Sequence, residues 1–329
     1  MELHRHLEGS LRLDTMLEIA NQHEISLPSG IALLSRLVQV QDEDSLTFEN
    51  FLAKFTTLRM FYRSPGVIER ITREVIEDAA RDNVKYLELR FTPVALSRAE
   101  RFPLHDVMDW VCESAEKSAA QVGIPVRLIA SINRHEAVEL AEQVVWLAIS
   151  HRARNIVAID LAGNEAEHPA LPFLGLFNEA RQAGLHITMH AGEWGGPQNI
   201  RDAIEKFSAD RIGHGVRVLE DEYTTSLARE RLTPFEVCLT SNYQTGVVKQ
   251  LADHPATGMI KAGLNVTLNT DDPSISQITL SNEYRVAREE LHFSQETIKQ
   301  CILAGAQASF LPPGEKDNLV EALTRELNQ

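Results

Sequence analysis

Histidines and carboxylates stand where short apolar runs of this chain stop, and their types and spacing suit a metal ion. The first run ends in His4-Arg5-His6. Residues two apart in a strand point to one side, so both imidazoles can converge on one ion. A fifth run ends in His190, followed by Ala191, Gly192 and Glu193, and a sixth leads into Gly213-His214-Gly215. The last run closes on Thr270-Asp271-Asp272-Pro273, two adjacent carboxylates just past an apolar strand. Each piece alone has a plainer explanation. A lone His-x-His pair is weak evidence, a strand-end histidine can be satisfied by backbone, and paired aspartates before proline can form a turn or a helix cap. Together they gather at one kind of place, and three imidazoles with a carboxylate suit zinc, which accepts nitrogen and oxygen ligands.

Elements must hold these groups in common. Strand-like runs are expected at Glu2–His6, Val84–Arg90, Val126–Ile132, Ile156–Asp160, His186–His190, Arg211–Gly213, Glu236–Thr240 and Asn265–Asn269. Between them lie helical stripes such as Val67, Ile68, Ile71, Val75, Ile76 and Ala79. Strands alternating with helices predict an α/β fold with a parallel sheet, and eight strands can close into a TIM-type (β/α)8 barrel. The active face of such a barrel is built at the C-terminal ends of its strands, where the histidines and aspartates fall. Without a Gly-, Pro- or Ser-rich linker, residues 1–329 are expected to form a single domain. Extra helices are expected after the first strand and from about Asn282 to Gln329, broken at Pro312-Pro313-Gly314. In the first insertion Phe48, Phe51, Leu52, Phe55 and Leu58 form a stripe that either packs on the barrel or partly roofs its pocket.

Composition narrows the function. The chain of 329 residues is 43% hydrophobic and 24% charged, and 32 basic against 47 acidic residues give a net charge of −15. A nucleic-acid binder carries a basic face, so no nucleic acid is expected as partner. An acidic surface also disfavours anionic membranes, and no apolar run approaches the ~18 residues of a membrane span. Cys112, Cys238 and Cys301 are few, scattered and odd in number, which excludes a disulfide framework and any CxxC site. They read as buried free thiols in a reducing compartment, and a cytoplasmic enzyme with a neutral small-molecule substrate is expected. Oligomeric state is not readable.

The chain resembles the adenosine deaminase family of metal-dependent amidohydrolases. The likeness is carried by Glu2-Leu3-His4-Arg5-His6-Leu7-Glu8-Gly9-Ser10, Asp160-Leu161-Ala162-Gly163-Asn164-Glu165, His190-Ala191-Gly192-Glu193, Arg211-Ile212-Gly213-His214-Gly215 and Asn269-Thr270-Asp271-Asp272-Pro273. Phe51-Leu52-Ala53-Lys54-Phe55 resembles the family's lid helix. The resemblance implies that His4, His6, His190 and Asp271 hold one zinc ion per chain, with His6 also beside the substrate. It implies that Glu193 protonates N1 of the purine and that His214 orients and helps activate the attacking water. Asp272 would hydrogen-bond N7, the Gly163 N–H would meet N3, and Glu8 would contact the ribose 5′-hydroxyl. Phe51, Leu52 and Phe55 would cover the substrate.

The activity so implied is hydrolytic deamination of adenosine and 2′-deoxyadenosine to inosine and 2′-deoxyinosine plus ammonia, as in purine salvage. Protonation at N1 makes C6 attackable, and zinc would bring the pKa of water from ~15.7 toward roughly 7. The alternatives are adenine or a 5′-modified adenosine such as aminodeoxyfutalosine and, in another class, a non-catalytic nucleoside-binding barrel. A cytidine-deaminase type of site needs Pro-Cys-x-x-Cys, which the chain lacks. The bridging lysine usual in related dinuclear enzymes is also missing, since the fourth run ends in Asp160-Leu161-Ala162-Gly163. Three departures from the family bear on substrate choice or on the first strand. His4 follows only three residues, Glu8 stands where aspartate is common, and Trp194 replaces a smaller residue and would either narrow the pocket mouth or simply pack.

Overall fold

In the computed structural model, which describes residues 1–27 and 30–328, eight short strands hydrogen-bond in chain order into one parallel sheet. They are β1 (Glu2–His6), β2 (Leu87–Phe91), β3 (Val126–Asn133), β4 (Ile156–Ala162), β5 (His186–Ala191), β6 (Arg211–His214), β7 (Pro234–Val237) and β8 (Asn265–Leu268). The ends of the sheet meet beyond β8. There Arg5 and Asp271 form a parallel bridge, the His6 N–H donates to the Asp271 carbonyl and the Asp271 N–H to the His4 carbonyl, both at 2.8 Å. The result is a nearly closed (β/α)8 barrel ringed by helices. The closing contact itself sets Asp271 beside His4 and His6.

Apolar strand residues on the outer face, such as Leu87, Leu89, Ile159 and Ile187, pack under helical stripes including Ile68, Ile71, Val75 and Ile76. Removing such side chains from water is the main force holding the ring to the barrel. Inside, the lower barrel is ionic. Arg90 Nη2 meets Glu236 at 2.7 Å, Arg90 Nη1 meets Asp160 at 3.3 Å, and Arg211 bridges Glu236 and Glu88. These five side chains are fully buried. Buried charges persist only when paired, and here each has a partner.

The two expected insertions are helical. After β1 come helices Leu13–Gln22, Ile31–Val38 and Phe48–Leu58 before the long crossover helix Pro65–Arg81. The chain closes with helices Leu280–Glu289, Gln295–Ala308 and Pro313–Leu327, the last with Pro312 at its N-cap and starting at Pro313. Strand β1 has the expected bounds, five strands differ from expectation by one or two residues at their C-terminal end, and two differ by three residues at a boundary. Strand β2 begins at Leu87 rather than Val84, because Val84 N–H closes the preceding helix on the Ala79 carbonyl at 3.0 Å. Strand β7 ends at Val237 rather than Thr240. The Glu283 carboxylate takes the Leu239 N–H at 2.7 Å and the Thr240 N–H at 3.3 Å, starting the helix Leu239–Gln244. Among the described residues no helix is long and apolar enough to cross a membrane, and Cys112, Cys238 and Cys301 are buried free thiols.

Candidate active site

His4 and His6 lie on β1, His190 near the end of β5, and Asp271 in the turn past β8. One donor atom from each of the four lies within 4.8 Å of the others. Their lone pairs converge in a way that protein hydrogen bonds alone do not satisfy. His4 Nδ1 is tied to Glu236 at 2.8 Å and His190 Nδ1 to Asp160 at 3.0 Å. A carboxylate only accepts, so each Nδ1 carries the hydrogen and each Nε2 presents a bare lone pair. His4 Nε2 is buried with no hydrogen-bond partner and faces Asp271 Oδ1 at 3.3 Å. His190 Nε2 faces His6 Nε2 at 3.3 Å, and His6 Nε2 lies 3.3 Å from Asp271 Oδ1. Nitrogen and oxygen donors crowded together, two of the imidazoles oriented by an outer carboxylate, fit a divalent cation of the zinc type.

Burial pushes the His6, His190 and His214 imidazoles below their ordinary range, favouring the neutral form that a ligand requires. His4 is the exception: burial lowers it too, but its hydrogen bonds with Asp271 and Glu236 outweigh burial and raise it, since a bare carboxylate faces it where a cation would sit. Burial alone would raise the Asp271 carboxyl, but the His4 hydrogen bond and the charges of His214, His4 and His6 hold it well below the usual range. Ser241 Oγ donates to Asp271 Oδ2 at 2.6 Å and fixes the carboxylate's second oxygen.

Glu193 follows β5 at the other side of this cluster, nearly fully buried. Burial, then the charges of Asp271 and Glu165, push its carboxyl well above the ordinary value. Its backbone is clamped. Glu165 accepts the N–H groups of Gly192 at 2.9 Å, Glu193 at 2.6 Å and Trp194 at 2.9 Å, and the Asn199 amide at 2.8 Å. His214 ends β6 in the left-handed region, φ 59°, with Nε2 3.6 Å from Glu193 Oε2 and 3.9 Å from Asp271 Oδ2. Asp272 is raised well above its ordinary value by burial, then by Asp271, Glu8 and Glu193. Gly9 allows this close packing, since a Cβ there would lie 1.8 Å from Asp272 Oδ1.

All these groups open into one pocket of about 290 Å³ lined by His6, Glu8, Gly163, His190, Glu193, His214, Asp271 and Asp272. His4 stands behind that wall. Phe51, Leu52 and Phe55 from helix Phe48–Leu58 line the pocket, so the stripe faces it in part. Thr47 caps that helix by accepting the Asn50 N–H. Trp194 lines the pocket, its ring centroid 4.5 Å from that of Phe48. Glu8 accepts the Thr92 N–H on Oε1, and burial raises its carboxyl. Glu8 Oε2 and Asp272 Oδ1 are buried without partners, polar atoms that a polar ligand would satisfy. Gly163 turns the chain at φ 96° after β4.

The sequence reading singles out the pocket residues named above, but not Arg59, Thr92, Asn133, His135, Glu167, His168 and Thr245, which also line the cavity, nor the supports Glu236 and Ser241. Asp160 and Glu165 were visible as carboxylates flanking Gly163. Nothing in the spacing tied Asp160 to His190, thirty positions away, or Glu236 to His4.

The family model described as adenosine deaminase matches residues 1–326. An adenosine deaminase of Shigella flexneri is 37% identical over 322 residues, 97% of this chain and 96% of that protein. Among solved structures, an adenine deaminase from Arthrobacter aurescens superposes with a TM-score of 0.92 at 26% identity, covering 100% of this chain and 98% of its own. The Arabidopsis protein ADAL complexed with IMP gives 0.88 at 29% identity, covering 100% of this chain and 96% of its own.

Proposed function

The chain belongs to the adenosine deaminase family, and from that premise we propose that this purine-deaminating hydrolase converts adenosine and 2′-deoxyadenosine to inosine and 2′-deoxyinosine with release of ammonia. The observation that carries the reading is the joint placement of the His4–His6–His190–Asp271 cluster and a raised, buried Glu193 in one pocket.

His4, His6, His190 and Asp271 would hold one zinc ion, which when bound brings the pKa of water from ~15.7 toward roughly 7 and so supplies a nucleophile at neutral pH. Glu193, kept protonated by burial and by neighbouring anions, donates its proton to N1. That removes electron density from the ring and opens C6 to attack. His214 orients the attacking water through its Nε2–H. N7 offers only a lone pair, so Asp272 donates to it, and the Gly163 N–H meets N3. Collapse of the tetrahedral adduct at C6 passes the C6 hydroxyl proton by way of the Glu193 carboxylate to the amine, which leaves as ammonia. The proton given up by the ionised water restores Glu193. Helix Phe48–Leu58 excludes competing water above these steps.

Glu8 supports a nucleoside over the free base, because its unpartnered Oε2 suits the ribose 5′-hydroxyl. Adenine is the rival favoured by the likeness to the Arthrobacter adenine deaminase. A 5′-modified adenosine remains in the same mechanism. Residues 1–329 act in this reading as a single cytoplasmic domain. The test is ultraviolet-monitored turnover by zinc-loaded protein on adenosine, 2′-deoxyadenosine, adenine, AMP and aminodeoxyfutalosine. Rapid conversion of adenosine with adenine untouched supports the proposal. Activity confined to another member moves the substrate, and protein without stoichiometric zinc or turnover would point to a non-catalytic barrel.

A further inference from the structure

Behind Glu193 and His214 runs a short chain of hydrogen bonds whose direction is set at its far end. His254 is buried, 2% exposed, just before the helix Ala256–Lys261. Its ring has two polar contacts. The Ala256 N–H lies 3.1 Å from Nδ1, and Asn242 Oδ1 lies 3.3 Å from Nε2. A backbone N–H can only donate, so Nδ1 is the bare acceptor and the hydrogen sits on Nε2, aimed at Asn242 Oδ1. Burial lowers the His254 pKa to about 3, which keeps the ring neutral, and the Ala256 N–H selects the tautomer. The Asn242 amide, itself fully buried, is thereby oriented with its NH2 toward the pocket. That NH2 lies 3.1 Å from His214 Nδ1 and 3.3 Å from Glu193 Oε1.

We propose that His254 is a positioning residue which, through Asn242, fixes the tautomer of His214 and the proton-bearing oxygen of Glu193. His214 Nδ1 accepts from the amide, so its hydrogen is held on Nε2, the nitrogen nearest Glu193 and Asp271. Glu193 Oε1 likewise accepts, leaving Oε2 to carry the acid proton. A flipped amide would present Oδ1 to both groups, demanding hydrogen on His214 Nδ1 and on Glu193 Oε1, the wrong atoms for the transfer. The inference deepens the deaminase reading and rests on it, but its first test does not depend on turnover.

That test is a long-range 1H–15N correlation on zinc-loaded protein labelled with 15N-histidine, with rings assigned from single-histidine variants. Bare Nδ1 and protonated Nε2 are expected for both His254 and His214. A protonated Nδ1 on His214 in the wild-type protein overturns the proposal without any variant of the relay. His254→Leu removes the donor to Asn242 and should lower kcat about 10- to 100-fold, as loss of an outer support commonly does. KM should stay within about 3-fold, the signature of lost transition-state rather than uniform binding. His254→Gln keeps a donor near the Nε2 position and should restore most of kcat and the His214 signature. Unchanged kcat in His254→Leu, or equal loss in both variants with the His214 tautomer intact, reduces His254 to packing. Turnover of wild-type protein on the purine panel separately tests the deaminase reading.

Discussion

In the proposed reaction Glu193 is the acid, and what would make it one is not visible in its own side chain. Burial beside Asp271 and Glu165 raises its carboxyl, while the same Glu165 holds its backbone through three N–H groups. Glu193→Gln keeps the shape and an acceptor for Asn242 but has no acidic proton. It should keep zinc and bind substrate with little change in KM, while kcat falls about 10²- to 10⁴-fold. Steady-state kinetics with metal analysis checks this, and near-wild-type turnover would remove Glu193 from the acid role. At this scale the pocket groups were legible, because His4, His190, Glu193, His214 and Asp271 stand where apolar runs stop. Their supports were not. Asn242 and Glu165 act through bonds to groups 28 to 49 positions away, and no periodicity encodes such a partner.

Between elements, the turn after β1 and the turn after β8 meet with no spare space. The Ser274 N–H donates to the Gly9 carbonyl at 2.8 Å, and Asp272 occupies the volume any Gly9 side chain would need. Gly9→Ala puts a Cβ 2.5 Å from Asp272 Cβ, so the carboxyl must move. A displacement near 1 Å in a positioned group costs on the order of 100-fold, and kcat/KM should fall by about that much with the fold intact by circular dichroism. The Phe48 side of the pocket is softer. Phe48 and Trp194 meet as an aromatic pair, worth about 0.5–1.5 kcal/mol. Trp194→Ala should raise KM about 2- to 10-fold with a smaller change in kcat, because Glu165 still holds the backbone at Glu193. A fall in kcat with constant KM would instead place Trp194 among the supports of the acid. Element boundaries were the least legible part of the sequence. The run Val237-Cys238-Leu239 is equally apolar on both sides of the strand end, and the carboxylate that starts the next helix comes from Glu283.

Across the whole molecule the (β/α)8 plan was readable from eight apolar runs alternating with striped helices, since burial on both faces of a parallel sheet leaves that pattern in the chain. The ionic interior was not. Arg90, Arg211, Asp160 and Glu236 stand at the ends of expected runs and Glu88 inside one, and nothing in their spacing pairs them until the barrel closes round them. Glu283 joins the C-terminal helices to β7, and it gives the barrel a measurable pH signature. Burial raises its carboxyl to about 7 from an ordinary 4.5, against the bonds it accepts from Thr240 and Leu239. The folded state therefore holds this proton more tightly than the unfolded chain does. Its contribution to stability is fully present below about pH 4.5 and is lost as pH rises through about 7, a change on the order of 3 kcal/mol. Glu283→Gln is neutral throughout, so the stability difference, wild type minus variant, should decline across that window and level off above it. Chemical denaturation of both proteins at pH 4.5, 5.5, 6.5 and 8 reads the difference directly, and other titrating groups cancel to first order. A difference that grows with pH would mean Glu283 is ionised in the fold, with its backbone donors outweighing burial.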